Sequence, residues 1–304
     1  MASHSEAAGC VLVTGASGFT GQHVIGELLQ AGYSVYGSGH RAPADARMSV
    51  TAVDILDASA LRDFVLQVRP RHVVHLAGIS FVAHSNVDAI YRANIVGTRN
   101  LLTSLLDLDE RPESVILASS ASVYGNTASA APVPETAPLR PANDYGISKM
   151  AMEHVAAMFA DRLPVTVVRP FNYTGVGQGE SFLLPKIVSH FRKREPVIRL
   201  GNLDVSRDFS DVRQVAWAYR RLLTSEVPGD VFNICSGQAW SLAEVLRMMA
   251  EIAGYEIAVE VDPALVRANE PKWVCGDGQR LRAAVGELPP LPLRETLEWM
   301  YRAG

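Results

Sequence analysis

The chain has 304 residues, 48% hydrophobic and 20% charged, with a formal net charge of −4. These values exclude disorder as the main state and allow two domains or one large α/β unit with a sizeable core. With no basic excess, nucleic-acid polymers and anionic membrane surfaces are excluded as the principal partner. Cys10, Cys235 and Cys275 are too few and too scattered for a disulfide framework or a zinc site, so reduced thiols and no metal are expected. The first residues show no signal-peptide pattern and the apolar runs are strand-sized, which sets the expectation of a cytoplasmic protein without a membrane span.

Cys10 to Thr14 is a short β-branched run followed by glycines and reads as a buried parallel strand. Gly18 to Ala31 has Val24, Ile25, Leu28 and Leu29 at helical spacing, with Gly32 as a stop. Ser34 to Tyr36 and Thr51 to Val53 are predicted strands, the second ending at Asp54. A helix over Leu61 to Val68 and a strand over His72 to Leu76 follow, then one long helix over Val87 to Leu108. Ser114 to Ala118 is a fifth strand, Ala142 to Asp161 a helix, and Val165 to Val168 a sixth strand. Strands alternating with helices over this length predict a doubly wound parallel sheet of Rossmann type.

After Arg169 turn-rich stretches (Asn172 to Glu180, Gly201 to Arg207, Glu287 to Pro292) interrupt shorter helices. Asp211 to Leu223 and Ser241 to Ala253 are predicted helices and Val231 to Ile234 a strand. The expected organisation is a dinucleotide-binding unit over 1–170, with returning segments from about 211–240, and a smaller α/β cap over 171–304 that binds substrate.

Thr14-Gly15-Ala16-Ser17-Gly18-Phe19-Thr20-Gly21 has G-x-x-G-x-x-G spacing between a predicted strand and helix. Glycines there permit a tight turn and close approach of a pyrophosphate to the helix N-terminus. The second strand leads into Gly37-Ser38-Gly39-His40-Arg41, with no carboxylate for an adenosine ribose. Ser38, His40 and Arg41 are placed to accept a 2′-phosphate, which favours NADP(H) with NAD(H) as the alternative; a solvated loop charge is the other reading of Arg41. Asp54, followed by Ile55, is a candidate for the adenine amino group.

Tyr145 and Lys149 are four apart on a predicted helix and share one face. A nearby ammonium is expected to lower the tyrosine pKa from its usual value of about 10. Ser119-Ser120-Ala121-Ser122-Val123-Tyr124-Gly125 adds hydroxyls at the carboxyl end of the fifth strand, facing the crevice of such a sheet.

Taken in order, TGASGFTG, the LAG of Leu76-Ala77-Gly78, Asn94, SSASVYG and YGISK resemble the extended short-chain dehydrogenases/reductases, the sugar-nucleotide epimerases, dehydratases and reductases. The resemblance implies Ser120, Tyr145 and Lys149 as catalytic residues. It also implies a cofactor site that includes Gly15, Ser17, Gly18, Phe19, Thr20, Gly21, Asp54, Ile55, Leu76, Ala77, Gly78 and Asn94. RPFN at Arg169 to Asn172, LGNLDVSRDF at Leu200 to Phe209, NICSG at Asn233 to Gly237 and Arg267-x-x-Glu270 resemble the members acting on GDP-sugars. By that likeness Asn172, Arg207 and Arg267 contact a diphosphate, and Glu270 binds the nucleotide's ribose or base; a solvated carboxylate is an equal reading of Glu270.

The family's 4,6-dehydratases carry an acid two residues before the position of Tyr124, where this chain has Ser122, counted with the substrate contacts. A hydroxyl is no substitute for a carboxylate base at neutral pH, which disfavours dehydration. The implied reaction is NAD(P)H-dependent reduction of a 4-keto-6-deoxy sugar nucleotide, GDP-4-keto-6-deoxy-D-mannose to GDP-D-rhamnose or GDP-6-deoxy-D-talose. A C4 epimerase with retained NAD is the nearest alternative and a non-catalytic NAD(P)-sensing module the next. The resemblance also implies a homodimer through Ala89–Leu106 and Tyr145–Phe159.

Overall fold

The structure, a computed structural model, describes residues 9–39, 49–80, 86–126, 131–225, 229–266 and 270–303. Its first part runs β1 (Cys10–Thr14), α1 (Phe19–Gln30), β2 (Ser34–Ser38), β3 (Ser49–Thr51), α2 (Ala58–Val68), β4 (His72–His75) and α3 (Val87–Tyr91). A π-helical turn (Arg92–Gly97) leads into α4 (Thr98–Leu105), then β5 (Ser114–Ala118), a 3-10 turn (Ala121–Tyr124), α5 (Asp144–Ala157) and β6 (Val165–Pro170). The rest is β7 (Asn172–Thr174), α6 (Leu183–Lys193), β8 (Val197–Leu200), β9 (Ser206–Asp211), α7 (Val212–Leu222), β10 (Val231–Ile234), β11 (Ala239–Ser241), α8 (Leu242–Ala253), β12 (Ala258–Val261), a 3-10 turn (Pro263–Leu265), β13 (Trp273–Val274), α9 (Gln279–Val285) and α10 (Leu293–Arg302).

Seven strands form one parallel sheet in the order β10-β6-β5-β4-β1-β2-β3. Period-two alternation divides their side chains between two cores. Val11, Val13, Val74, Ile116 and Val168 join Val24, Ile25 and Leu28 of α1 and Val215 and Tyr219 of α7 on one face. Leu12, Val73, Val115 and Leu117 join Leu61 of α2, Leu101 of α4 and Met152 of α5 on the other. This is the doubly wound α/β sheet expected from the sequence. Strand order reverses between β1 and β4, so a crevice opens there at the carboxyl ends of the strands.

Two expectations are corrected. The third strand ends at Thr51, so Asp54 lies in the loop beyond it. The helix over 87–108 is not uniform: a π turn interrupts it, and Asn94 lies within that turn. A π turn keeps the helical hydrophobic spacing nearly intact, which hides it from a reading of periodicity.

The second half is richer in strands than its turn signals suggested. β7, β9, β11 and β13 form a small mixed sheet and β8 pairs with β12. Leu184, Ile187, Phe191, Phe209, Val245, Met249 and Leu297 make a separate core among α6, α8 and α10. β10 returns to the large sheet beside β6, and α7 packs on α1. No helix among the described residues is long and apolar enough to cross a membrane, and Cys10, Cys235 and Cys275 are free thiols.

Candidate active site

Gly15 has φ of 71°, and a Cβ on it would lie 2.7 Å from the backbone nitrogen of Ala77. A Cβ on Gly21 would lie 2.3 Å from the carbonyl oxygen of Gly15. The loop therefore folds back tightly against the end of β4 and the first turn of α1. Helices α2, α5, α7 and α8 have side-chain caps, from Asp57, Asn143, Asp211 and Ser241. Helix α1 has Gly18 as its N-cap and, like α4, α6, α9 and α10, no side-chain cap, which leaves its first amides for an anion. The Ser38 hydroxyl at the end of β2 is buried, lines the cleft and has no hydrogen-bond partner among the described residues. A tight glycine cradle, an uncapped helix and an orphaned hydroxyl at the ribose end fit a dinucleotide.

One cleft of about 950 Å³ is lined by Gly15, Ser17, Gly18, Phe19, Thr20, Gly21, Asp54, Ile55, Leu76, Ala77 and Gly78, and also by Ser120, Ser122, Tyr145, Lys149, Asn172, Arg207 and Glu270. Arg41 and Arg267 lie outside the described residues. Asn94 stands behind the wall: its amide oxygen accepts from the Ile79 amide at 2.9 Å, and its amide nitrogen donates to the Ser148 hydroxyl at 2.9 Å. It braces the loop after β4 against α5. Asp54 Oδ1 accepts from the Leu56 amide at 2.9 Å, which holds that carboxylate at the rim.

Asn143 caps α5 by accepting from the Gly146 amide at 2.8 Å, which sets the first turn carrying Tyr145. Ser120 stands close enough to the Tyr145 phenol to draw its pKa down, and the Ser120 Oγ accepts from the Ser122 amide at 3.1 Å. Lys149 Nζ donates to the Ala118 carbonyl at 2.8 Å and lies 6.0 Å from the Tyr145 ring centroid. The expected lowering of the tyrosine pKa is corrected for this state. Burial pushes Tyr145 up to about 12 although the nearby Ser120 hydroxyl pulls the other way. Burial also pushes Lys149 down to about 8 against the opposing charge of Glu153. The ammonium is drawn towards Ala118 and stands too far from the phenol to offset its desolvation.

Glu153 is one further turn along α5 and forms a buried bidentate pair with Arg169, at 2.9 and 2.6 Å. The Ser119 hydroxyl donates to the same carboxylate at 2.5 Å, and Arg169 donates to the Tyr124 phenol at 3.0 Å. Tyr124 in turn donates to Asn233 at 2.7 Å. The turn that presents Ser120 is thus held to α5, β6 and β10 by one buried polar network.

On the cap side Arg207 Nη2 donates to Glu270 at 3.0 Å, and both side chains line the cleft. Asn172 donates to the Asp208 carbonyl at 3.3 Å. Asp208 is fully buried; its carboxylate accepts from the Ser236 amide at 2.9 Å, the Ser236 hydroxyl at 2.6 Å and the Gly237 amide at 3.0 Å. Burial still holds its pKa above the ordinary carboxylate value. Sequence reasoning missed Tyr173, Phe209 and Tyr219 in the cleft wall, and the bracing pair Glu153 and Arg169. Tyr173 lay within a quoted motif, its phenol 2.7 Å from the Thr20 hydroxyl; Tyr219 sits on a helix with no local motif to flag it.

Residues 11–235 match the NAD dependent epimerase/dehydratase family. GDP-6-deoxy-D-talose 4-dehydrogenase of Aggregatibacter actinomycetemcomitans is 32% identical over 96% of this chain and 97% of its own length. From Pseudomonas aeruginosa, GDP-6-deoxy-D-mannose reductase is 33% identical over 94% of each chain. A structure of RMD from that organism complexed with NADPH is 31% identical, with a TM-score of 0.85 over 96% of each chain. A Burkholderia cenocepacia J2315 structure, assigned provisionally as an epimerase, is 50% identical with a TM-score of 0.92, over 98% of this chain and 99% of that one. The chain therefore belongs to the NAD dependent epimerase/dehydratase family, the extended short-chain dehydrogenases/reductases, and is an oxidoreductase that uses a nicotinamide cofactor.

Proposed function

We propose that the protein reduces the 4-keto group of a nucleotide-activated 6-deoxy sugar, with GDP-4-keto-6-deoxy-D-mannose as substrate and GDP-D-rhamnose or GDP-6-deoxy-D-talose as product. The observation that carries this reading is one cleft shared by the glycine loop, Ser120, Tyr145 and Lys149, and the cap residues Asn172, Arg207 and Glu270. Two relatives named for redox chemistry on GDP-6-deoxy sugars support the sugar class. Ser122 in place of an acid supports reduction over dehydration.

The nicotinamide, when bound, supplies the hydride. Tyr145 is protonated at neutral pH and donates its proton to the oxygen of the carbonyl as that oxygen gains charge. Ser120 hydrogen-bonds the same oxygen and stabilises the charge. Lys149 holds the nicotinamide ribose. Asn172 and Arg207 hold the diphosphate, Arg267, outside the described residues, is a further candidate for it, and Glu270 orients the Arg207 fork and receives the nucleotide. The orphaned Ser38 hydroxyl, the absence of a carboxylate among Gly37, Ser38 and Gly39, and the NADPH-complexed relative support NADP(H). Residues 1–170 with the returning 211–240 segments form the cofactor unit and 171–304 the cap, a division supported by the pairing of β10 with β6. A homodimer through Ala89–Leu106 and Tyr145–Phe159, where Val96 and Ile147 are exposed, and a cytoplasmic location complete the proposal.

The test is NADPH and NADH oxidation by the purified protein over a panel of keto sugar nucleotides, with the product identified by NMR. Stoichiometric oxidation with a GDP-4-keto-6-deoxy sugar is expected; water loss from an intact GDP-hexose rejects the reading. The provisional assignment of the Burkholderia structure favours a second reading, C4 epimerisation. NAD that copurifies with the protein, and turnover without added reductant, select it. Cofactor binding without turnover in any arm selects a sensing module.

A further inference from the structure

Three phenols line the cleft: Tyr145, Tyr173 and Tyr219. Tyr145 stands beside Ser120, and the Tyr173 phenol lies 2.7 Å from the Thr20 hydroxyl. Tyr219 is only 1% exposed, yet its hydroxyl has no hydrogen-bond partner among the described residues. It rises from α7, on the side of the sheet shared with α1, and packs in the core layer of Val74, Ile116 and Val168. Its side chain therefore reaches the crevice from the floor, beneath the carboxyl ends of the strands, and not from the cap. Because Tyr219 lines the cleft, its hydroxyl is open to a ligand held there.

We infer that the Tyr219 hydroxyl hydrogen-bonds the carboxamide of the bound nicotinamide. This rests on the nicotinamide cofactor that family membership establishes. Location selects the group. Tyr219 belongs to the core against which Tyr173 and Ala118 pack, and the Ala118 carbonyl accepts from Lys149, so this core lies under the reacting end of the cleft. The phosphates are served by the amides of the glycine loop, and the sugar nucleotide is met by residues of the cap. What remains over the floor at that end is the nicotinamide ring, whose polar substituent is an uncharged amide. A phenol that stays protonated is a matched donor to an amide oxygen. One bond from the floor to the ring's substituent fixes the rotation of the ring about its glycosidic bond and, with it, the face turned to the sugar.

The test is titration of wild type and Tyr219→Phe with NADPH, followed by nucleotide fluorescence, and with 2′-phospho-ADP-ribose, which lacks the nicotinamide, by calorimetry. The variant keeps the ring and its packing. We expect NADPH to bind about tenfold more weakly to Tyr219→Phe while 2′-phospho-ADP-ribose binds as it does to wild type. The melting temperature of the ligand-free variant should be unchanged, because no bond is lost in the free protein. Unchanged NADPH affinity overturns the inference. So does equal weakening of both ligands, or a lower melting temperature without ligand, since each marks a structural role. A rise in sugar-nucleotide KM with unchanged NADPH affinity also overturns it and gives the hydroxyl to the sugar. If wild type binds 2′-phospho-ADP-ribose and not NADPH or NADH, the nicotinamide reading itself fails and the inference with it.

Discussion

Tyr145 and Lys149 share one face of α5, and burial moves them in opposite directions. The phenol is held up at about 12 and the ammonium down at about 8. A reduction requires the protonated phenol, so desolvation keeps Tyr145 in its donor form throughout the neutral range. Replacing Tyr145 with Phe should lower kcat at least a hundredfold while the Kd for NADPH, measured by fluorescence, stays within twofold. The same burial makes Lys149 the group that limits activity in alkali. The kcat/KM profile, which reports the free enzyme, should fall above about pH 8 as the ammonium is lost. Glu153 raises the Lys149 pKa, so Glu153→Gln should move that limb to lower pH. A limb that does not move would separate Glu153 from the charge of Lys149. The variant should also be less stable, because it leaves the Arg169 guanidinium buried beside a neutral amide; the cost is roughly 3–5 kcal/mol.

At the scale of elements, helix α1 contains two glycines with opposite requirements. Gly21 has the Gly15 carbonyl oxygen 2.3 Å from where a Cβ would stand, whereas Gly26 has nothing within 4 Å. The same substitution should therefore have opposite signs. Gly21→Ala should force the loop from β4, destabilise the protein by roughly 1–3 kcal/mol and abolish detectable NADPH binding. Gly26→Ala should stabilise it by about 0.5–1 kcal/mol and leave binding unchanged. Urea denaturation with a fluorescence titration checks both. The glycine loop, the Ser120 turn and the Tyr145 and Lys149 pair were legible because each is a local motif at the edge of an element whose own pattern is strong. β9 was not. Its Ser206 and Arg207 fall at the end of a predicted turn-rich stretch and Asp211 at the start of a predicted helix, with no strand signal between, yet Asp208, Ser210 and Asp211 are buried. Asp208 is tolerated there because amides from the Ser236–Gly237 turn and Gly276 come to it across the fold, at 2.9, 3.0 and 3.2 Å. That compensation is tertiary and leaves no trace in the local spacing. Tyr219 was hidden for the same reason: the helical pattern reads it as core, and only the placement of α7 under the strand ends brings its hydroxyl to the cleft.

At the scale of the whole molecule, the first strands of the sheet and the helix that follows are joined by a buried hydrogen-bond chain with His75 at its centre. The Ala77 amide donates to the Thr14 hydroxyl at 3.2 Å, and Thr14 lies 2.6 Å from His75 Nδ1. His75 Nε2 lies 2.9 Å from the Thr98 hydroxyl, which itself donates to the Asn94 carbonyl at 2.8 Å. Since Thr98 spends its proton on Asn94, His75 must carry its proton on Nε2 and accept from Thr14 on Nδ1. The neutral ring completes the chain, and a second proton would break it at Thr14. Burial, with the nearby charge of Lys149, accordingly pushes His75 down to about 3. An unfolded histidine titrates near 6.5, so between these values the unfolded chain binds the extra proton. Stability from this group is thus complete above about pH 6.5 and is lost as pH falls, by about 2 kcal/mol at pH 5. His72, also lowered by burial, adds in the same direction. Asp208 opposes them, because its raised pKa makes acid a relief, but that relief belongs nearer the carboxylate range. Between pH 7 and pH 5 the histidines should therefore dominate, and urea midpoints should fall across that interval. His75→Gln keeps one donor and one acceptor but does not titrate. It should be less stable than wild type at pH 7 and lose less on going to pH 5, so that the two proteins converge. Parallel losses in both would place the acid sensitivity elsewhere in the fold.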